Sequence, residues 1–416
     1  MLSYFVNAQT ARKDFMKQVN QQIIKNNNLK MIYNFIYQNQ GISRSQLAKE
    51  CHLSKTTISA LADELIERNF IIDTGAADSS CVGRKPNSLH LRTNEHFVAV
   101  IFWSDKAITL QLIDICGMPA AVKQIPVLPD TDYVKASYDA LQEQLTPPFS
   151  SEKLLGVCIV VPAMIDPDAR EIFATTLPLL DNSGGNLIEH LEKTFRGYPL
   201  ALLNDTACFA YAEKVYTHIK EKDFAFINFD VGIGATLFIQ DTMLGKATAS
   251  YTQFGHYSID PKGKPCPCGN RGCLELMIGE ESLPERIAKA GNTSVLKGKT
   301  HITYKDLGHA ATYGDTASRK ALSGIAFDFS VALSNLVCTV HPKLIIIGGK
   351  GRDLGPLFLE YVKDCLQKTG FRRMLDSIQI RYGQLDENAC FCGAMKYFLD
   401  IHYHFTQDIT NQFFIG

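Results

Sequence analysis

Three cysteines and one histidine crowd into one short stretch of this chain. Cys266, Cys268 and Cys273 follow a C-x-C-x4-C spacing, and His256 stands ten residues before the first of them. Three thiolates and an imidazole make a complete tetrahedral zinc set, whose bonds of about 2.0–2.3 Å require ligands that converge. Pro265, Pro267, Gly269 and Gly272 punctuate the run, which predicts a loop folded around something rather than a helix or strand. The alternative is three reduced cysteines in an ordinary turn.

Three other groups have the residue types for chemistry. Asn204-Asp205 closes an apolar stretch and opens an alanine-containing helical one. A carboxylate there can accept a hydrogen bond from a hydroxyl or take its proton as a general base, although a plain helix N-cap needs the same pair. Asp230-Val-Gly232-Ile-Gly234-Ala-Thr236 and Gly348-Gly349-Lys350-Gly351 each follow a predicted strand. Backbone N–H groups in such turns can cradle phosphate, and tight hairpins demand the same glycines.

The elements that position these residues follow from periodicity. From His96 onward, apolar stretches at 96–103, 107–114, 154–161, 200–204, 224–230, 235–240 and 343–349 alternate with helical segments, which predicts an α/β fold. The first ninety residues differ in texture. An interrupted helical stripe carries Ile23, Ile24, Leu29, Ile32, Phe35 and Ile36, and Gly41 breaks it. Ser43 then caps a short helix with Leu47, Ala48 and Cys51 inward. After a turn at His52-Leu53-Ser54, a longer helix over 55–69 turns Ile58, Leu61, Leu65 and Ile66 inward. This is the pattern of a helix-turn-helix. Its second helix opens on Ser54, Lys55, Thr56, Thr57 and Ser59, small and donor-rich residues of the kind that meet base edges and phosphates. Segments 70–74 and 88–92 can pair as a hairpin whose tip holds Arg84 and Lys85, two cations for a phosphate backbone or minor groove. Helix-turn-helix shapes also occur in protein-interaction modules.

Composition sets the frame. The chain has 416 residues, 46% hydrophobic and 20% charged, enough for two or three domains with a sizeable core. It carries no signal-peptide pattern and no run of about 18 apolar residues, so neither secretion nor a membrane span is expected. Twelve cysteines without a secretory signal suit a reducing, cytoplasmic compartment, and the nine outside the loop are expected to fill core. Net charge is −1, divided as +5 over residues 1–92 and −6 over the remainder, a weak sign of a basic nucleic-acid-binding head on an acidic body.

In this order the features resemble the ROK family of sugar kinases and sugar-responsive repressors, from about residue 96 to the end. The head resembles that of the repressor branch. The most specific match is the loop, where C-x-C-G-x-x-G-C-x-E stands complete from Cys266 to Glu275, preceded by Gln253-Phe-Gly255-His256 in place of E-x-G-H. The resemblance implies a winged helix-turn-helix over 1–92, followed over 96–416 by a two-lobed actin-like ATPase (ribonuclease H-like) domain. It also implies a structural zinc held by His256, Cys266, Cys268 and Cys273, with the loop spanning 256–273. Asn204 and Asp205 match the family's Asn-Asp pair, in which the aspartate is the base of the kinases. His256 and Glu275 match further hydroxyl-binding positions. Gln253 departs from the usual glutamate, an amide replacing a charge.

A second departure separates regulator from enzyme. The family's kinases open this domain with D-x-G-G-T around the ATP phosphates. Here Phe102 stands where the aspartate belongs and Ser104-Asp105-Lys106 where Gly-Gly-Thr belongs. Phosphoryl transfer depends on positioning and neutralising those phosphates, so turnover is not expected. The expectation is a cytoplasmic sugar-responsive repressor, a homodimer or homotetramer without membrane contact, that binds operator DNA and a sugar or sugar-derivative effector. The alternatives are an ATP-dependent sugar kinase with a fused DNA-binding head, and a sugar-binding interaction protein that binds no promoter.

Overall fold

The computed structural model of the protein describes residues 21–74, 88–179, 187–248, 252–291, 293–369 and 372–416. Its head begins with a helix, α1, over 21–38. The strand β1 (Ile42–Ser43) leads directly into α2 (Arg44–Glu50), because Ser43 and Gln46 form a reciprocal capping box. A left-handed His52 turns the chain into α3 (Lys55–Glu67), capped by Ser54. Then β2 (Ile71–Asp73) and β3 (Ser88–Leu91) complete a three-stranded antiparallel sheet in the order β1-β3-β2. This is a winged helix-turn-helix. Its wing tip, with Arg84 and Lys85, lies outside the described residues.

The expected stripe on α1 needs one correction. Leu29, Ile32 and Ile36 are fully buried and Phe35 is half-buried, but Ile23 and Ile24 are exposed. The first turns of α1 therefore run past the edge of the core, and Tyr33 joins the buried face instead.

The body contains two sheets of the same design. In the first lobe, β4 (Phe97–Trp103), β5 (Ala107–Asp114) and β6 (Pro119–Pro126) form an antiparallel meander. Helix α4 (Tyr133–Gln144) covers it, and β7 (Leu154–Val161) adds parallel to β4. A small ribbon of β8 (Ala163–Asp166) and β9 (Glu171–Thr175), then α5 (Leu187–Thr194), precede β10 (Leu200–Asn204), which lies parallel to β7. Helix α6 (Asp205–Tyr216) leads to the second lobe.

There β11 (Phe224–Phe229), β12 (Ile233–Ile239) and β13 (Thr242–Met243) repeat the antiparallel meander. The cysteine-rich loop and the helices α7 (Leu274–Ile278), α8 (Leu283–Ala290), α9 (Tyr304–Thr312) and α10 (Thr316–Val340) follow. Then β14 (Leu344–Gly348) pairs parallel to β11, α11 (Pro356–Thr369) and α12 (Arg372–Leu375) follow, and β15 (Gln379–Tyr382) pairs parallel to β14. Helix α13 (Ala389–Tyr397) returns to the first lobe, where β16 (Phe413–Ile415) pairs parallel to β10. Each sheet thus places its meander beside parallel strands, three in the first lobe and two in the second, in the orders β16-β10-β7-β4-β5-β6 and β13-β12-β11-β14-β15. That is the duplicated actin-like α/β plan.

All seven apolar stretches are strands, and the short or edge strands β6, β8, β9, β15 and β16 are additions. They escaped notice because an edge strand such as β6, half polar and half exposed, lacks an apolar run. Helix α10 is long and apolar enough by composition to cross a membrane. Its Ile325, Phe329, Leu333 and Val337 instead pack with Ile227, Ile345 and Phe358 in the second lobe's core. The remaining cysteines do not all fill core. Cys51, Cys158, Cys208 and Cys390 are buried, Cys116, Cys365 and Cys392 are half-buried and Cys338 is exposed, while Cys81 lies outside the described residues.

The head is not a loosely tethered bead. Its Tyr33, Phe70 and Leu91 share one continuous apolar core with Ile113, Ile115, Tyr403 and Phe405 of the body. Full burial of a single such side chain contributes roughly 1.5–3 kcal/mol relative to exposure. Polar contacts fix the register of this joint. Tyr33 donates to the Ile115 carbonyl (2.8 Å), the Phe405 N–H donates to Asn26 Oδ1 (2.7 Å), and Arg68 donates to the Phe405 carbonyl (2.5 Å).

Candidate functional site

The loop from Gln253 to Glu275 brings four ligand atoms together. His256, Cys266, Cys268 and Cys273 offer one atom each, all within 4.8 Å of one another. Cys268 Sγ lies 3.7 Å from Cys273 Sγ, and Cys266 Sγ 3.8 Å from His256 Nδ1. Two sulfurs bound tetrahedrally to one zinc at about 2.3 Å stand about 3.8 Å apart, so the donor set fits that ion. Local turns produce this convergence. The Cys266 N–H donates to Asn270 O and the Gly269 N–H to Cys266 O, folding the chain back between the paired cysteines. A bridge from Ser258 to Cys273 closes the base of the loop. Cys273 is also the N-cap position of α7, whose second residue is Glu275.

Asn204 and Asp205 sit where β10 gives way to α6. Asn204 caps the helix by accepting from the Ala207 N–H (3.0 Å), and its Nδ2 donates to Ala163 O. The cap reading of this pair therefore holds for Asn204. Asp205 is oriented but not saturated, since Oδ1 accepts from Thr206 N (2.7 Å) and Asn204 Nδ2 (3.1 Å). No described residue donates to Oδ2. Burial pushes its carboxyl up to about 6, against the hydrogen bonds from Thr206 that favour the ionised form.

The start of β12 ties this corner to the loop. The Ile233 N–H donates to Glu275 Oε2 (2.9 Å), while a Cβ on the next residue, Gly234, would stand 2.7 Å from Thr206 Oγ1. Thr206, next to Asp205, and Glu275 therefore meet adjacent residues at the start of β12. Gln253 and His256 belong to the short helical turn that packs on β12, with Phe254 fully buried between them. Glu275 and the turn carrying Gln253 and His256 thus pack on β12, the strand whose Gly234 also lies against Thr206, the neighbour of Asp205.

The positions that would meet ATP phosphates are arranged differently. Phe102 is half-buried, 6.0 Å from the Phe391 ring. Ser104, Asp105 and Lys106 form the tight turn from β4 to β5, and Ser104 Oγ accepts from the N–H groups of Lys106 (3.3 Å) and Ala107 (3.0 Å). The Lys106 and Ala107 amides of this turn are therefore already satisfied. The two glycine-rich turns also have structural reasons. Asp230–Gly232 closes the β11–β12 hairpin, with Phe229 opposite Ile233. Gly349 has φ +70°, and a Cβ there would stand 2.6 Å from Phe229 O.

Sequence reasoning missed how these turns meet. Lys350 Nζ bonds Asp230 Oδ1 at 2.7 Å, joining the turns that follow the neighbouring strands β14 and β11. Burial works against charge on this ammonium, but Asp230, Glu280 and Asp105 together hold its pKa above the usual lysine value. A lysine among glycines was visible, but its partner 120 residues away was not.

In the head, the opening of α3 faces outward. Lys55 and Thr56 are exposed, Thr57 and Ser59 half-buried. Ser54 is exposed too, but its hydroxyl is committed to the helix, accepting from Thr57 N (3.0 Å) and lying 2.8 Å from Thr56 Oγ1 and Thr57 Oγ1. Ile58, Leu61, Ala62 and Leu65 hold the opposite face in the core.

Comparisons with known proteins agree with this architecture. Residues 106–401 match the ROK family model, and residues 25–72 match a winged helix-turn-helix DNA-binding model. The xylose repressor of Bacillus subtilis (strain 168) is 25% identical over 401 residues, 95% of this chain and 100% of that protein. The transcriptional dual regulator NagC of Escherichia coli (strain K12) is 22% identical over 384 residues, 89% of this chain and 92% of its own length. Among solved structures, a ROK-family transcriptional regulator homologous to the E. coli MLC protein superposes with TM-score 0.77 and 21% identity, covering 91% of this chain and 97% of that one. A ROK-family glucokinase from Streptomyces griseus, solved with glucose and AMPPNP, covers 72% of this chain and 98% of its own with TM-score 0.57 and 21% identity. With the body matched over most of its length and the winged head ahead of it, the chain belongs to the ROK family.

Proposed function

We propose that this protein is a sugar-responsive transcriptional repressor of carbohydrate-utilisation genes. The observation that carries it is the fusion itself: a winged helix-turn-helix shares one apolar core with a ROK body. Residues 1–92 form the operator-binding part and residues 96–416 the effector-binding part. In the head, Lys55, Thr56, Thr57 and Ser59 meet the major groove, with Ser54 holding the helix start in shape. Arg84 and Lys85 reach phosphate from the wing.

In the body, Asp205 Oδ2 and the remaining Glu275 oxygen accept hydrogen bonds from sugar hydroxyls, because a vicinal diol offers two donors to paired acceptors. Asn204 positions the Asp205 carboxylate, and Gln253 contributes a neutral amide. Zinc, bound by the three thiolates and His256 Nδ1, supplies rigidity. It locks the imidazole so that Nε2 is left for the effector. The protein acts in the cytoplasm as a homodimer or homotetramer, since helix-turn-helix proteins read paired half-sites by two-fold symmetry. It is not a kinase, because Phe102 and Ser104-Asp105-Lys106 stand where the family's kinases carry D-x-G-G-T, and Ser104 Oγ already engages the Lys106 and Ala107 amides.

One observation favours the kinase alternative: Asp205 keeps the base position, with a carboxyl near 6. A single experiment separates the readings. The full-length protein is titrated onto DNA from upstream of its own gene at two salt concentrations, with d-xylose, N-acetylglucosamine, glucose and no sugar, and ATP consumption is followed in parallel. Salt-sensitive binding released by one sugar, without ATP turnover, is the expected result. Sugar-dependent ATP consumption would establish the kinase instead, and absence of DNA binding at either salt would refute the repressor.

A further inference from the structure

Helix α6 starts at the proposed effector site and ends against the DNA-binding head. Asp205 is its first residue and Tyr216 its last, about 17 Å along the axis at 1.5 Å per residue. The Tyr216 hydroxyl bonds the Tyr37 hydroxyl of α1 at 2.7 Å, with the rings in an edge-on contact at 6.3 Å. Space for this pair is built in. Gly117, with φ +89°, passes directly over it, and a Cβ there would stand 2.9 Å from one hydroxyl and 3.1 Å from the other. Any side chain at 117 would force the two phenols apart.

A second polar chain joins the same two helices. Tyr211 of α6 donates to Asp400 Oδ2 (2.6 Å), Asp400 pairs with the buried Lys396, and Lys396 donates to Asn34 Oδ1 of α1 (2.8 Å). Lys30 of α1 donates to the Asp400 carbonyl (2.8 Å), which the π-helical turn Phe398–His402 presents. Apolar contacts alone would hold head to body. Buried polar groups add directional contacts that tolerate one register and penalise others, as expected of an element with two discrete arrangements.

We infer that Tyr216 and Tyr37 are the positioning pair through which occupancy of Asp205 reaches the DNA-binding head. A hydroxyl bound at Asp205 shifts the start of α6, the rigid helix carries the shift to Tyr216, and the phenol pair passes it to α1 and the recognition helix packed on it. Lys25 of α1 bonds Glu64 of α3 at 2.8 Å and completes the route. This inference rests on the sugar-responsive reading above.

The test compares full-length wild type, Tyr37→Phe, Tyr216→Phe and the double variant, which keep the rings and their packing. The measured quantity is the coupling factor, the ratio of DNA dissociation constants with and without saturating sugar, with d-xylose and N-acetylglucosamine as probes. Each single variant is expected to lower that factor by about 3- to 10-fold, the worth of one net hydrogen bond. Sugar affinity of the DNA-free protein should stay within about threefold, because the binding residues are untouched. The double variant should lose no more than the worse single one, since both disrupt one contact. A wild-type response that survives unchanged in all three variants overturns the inference while leaving the repressor reading intact. So does a variant that merely melts at lower temperature with its coupling factor preserved. A wild type insensitive to every sugar sinks the underlying reading and the inference with it.

Discussion

Replacing Cys268 by serine gives the sharpest test of the metal centre. Cys268 is the exposed member of the four, so its loss opens no cavity, unlike Cys273, which is fully buried. Structural zinc contributes roughly 10–16 kcal/mol in small zinc domains, and an even share per ligand is about 3–4 kcal/mol. Zinc affinity should therefore fall by about 100- to 1,000-fold. Without the ion, residues 256–273 are held by backbone bonds such as Cys266 N to Asn270 O and by side-chain bonds such as Asn270 Nδ2 to His256 O. Cys273 no longer anchors the start of α7, and Glu275 two residues on loses its fixed aim. If His256 and Glu275 each lose one net hydrogen bond to the effector, at about 0.5–1.5 kcal/mol, sugar affinity drops by about 5- to 150-fold. The assay is metal content by mass spectrometry after dialysis against a chelator, followed by calorimetric titration with the sugar that releases wild type from DNA. A zinc-free variant with unaltered sugar affinity would refute the argument that the ion organises the pocket.

Three further outcomes are expected. Sugar affinity should weaken by up to about tenfold per pH unit below 6, because the Asp205 carboxyl, raised to about 6, protonates and stops accepting hydroxyl bonds. The sign for stability is the reverse. The protonated form favours the fold at low pH, and that contribution is lost as pH rises through 6, so Asp205→Asn should abolish sugar binding yet melt higher at pH 7.5. A calorimetric pH series on both proteins checks the two claims. Arg84→Ala and Lys55→Ala should each weaken DNA binding and lower the slope of log affinity against log salt by about 0.9, measured by fluorescence anisotropy, if each meets one phosphate. Ser43→Ala removes the hydroxyl half of the α2 capping box, leaving the bond from the residue 43 N–H to Gln46 Oε1, and should cost about 1 kcal/mol, read as a lower urea midpoint with an unchanged slope.

Local chemistry was legible in the sequence wherever neighbours along the chain act together. The cysteine spacing specified a loop in which three thiols and an imidazole converge, because its turns need only nearby prolines and glycines. Ser43, Ser54 and the apolar spacing of α2 and α3 specified the helix-turn-helix, since caps and amphipathic faces are local. Buried strands announced themselves as apolar runs, whereas β6 and β16, at the sheet edges, did not.

Only the tertiary structure decided what distant segments do to one another. It placed Glu275 and Thr206, the neighbour of Asp205, against the start of β12, paired Lys350 with Asp230, and joined Tyr216 to Tyr37 beneath Gly117. It also resolved residues that sequence left with two readings. Asn204 caps α6 while Asp205 keeps an open oxygen, and Gly349 serves packing against Phe229. The physical reason is that helix caps and turn glycines are satisfied within a few residues, whereas cleft contacts depend on how two lobes and a head are packed. That packing is set by the summed burial of many side chains, which no short stretch of sequence encodes.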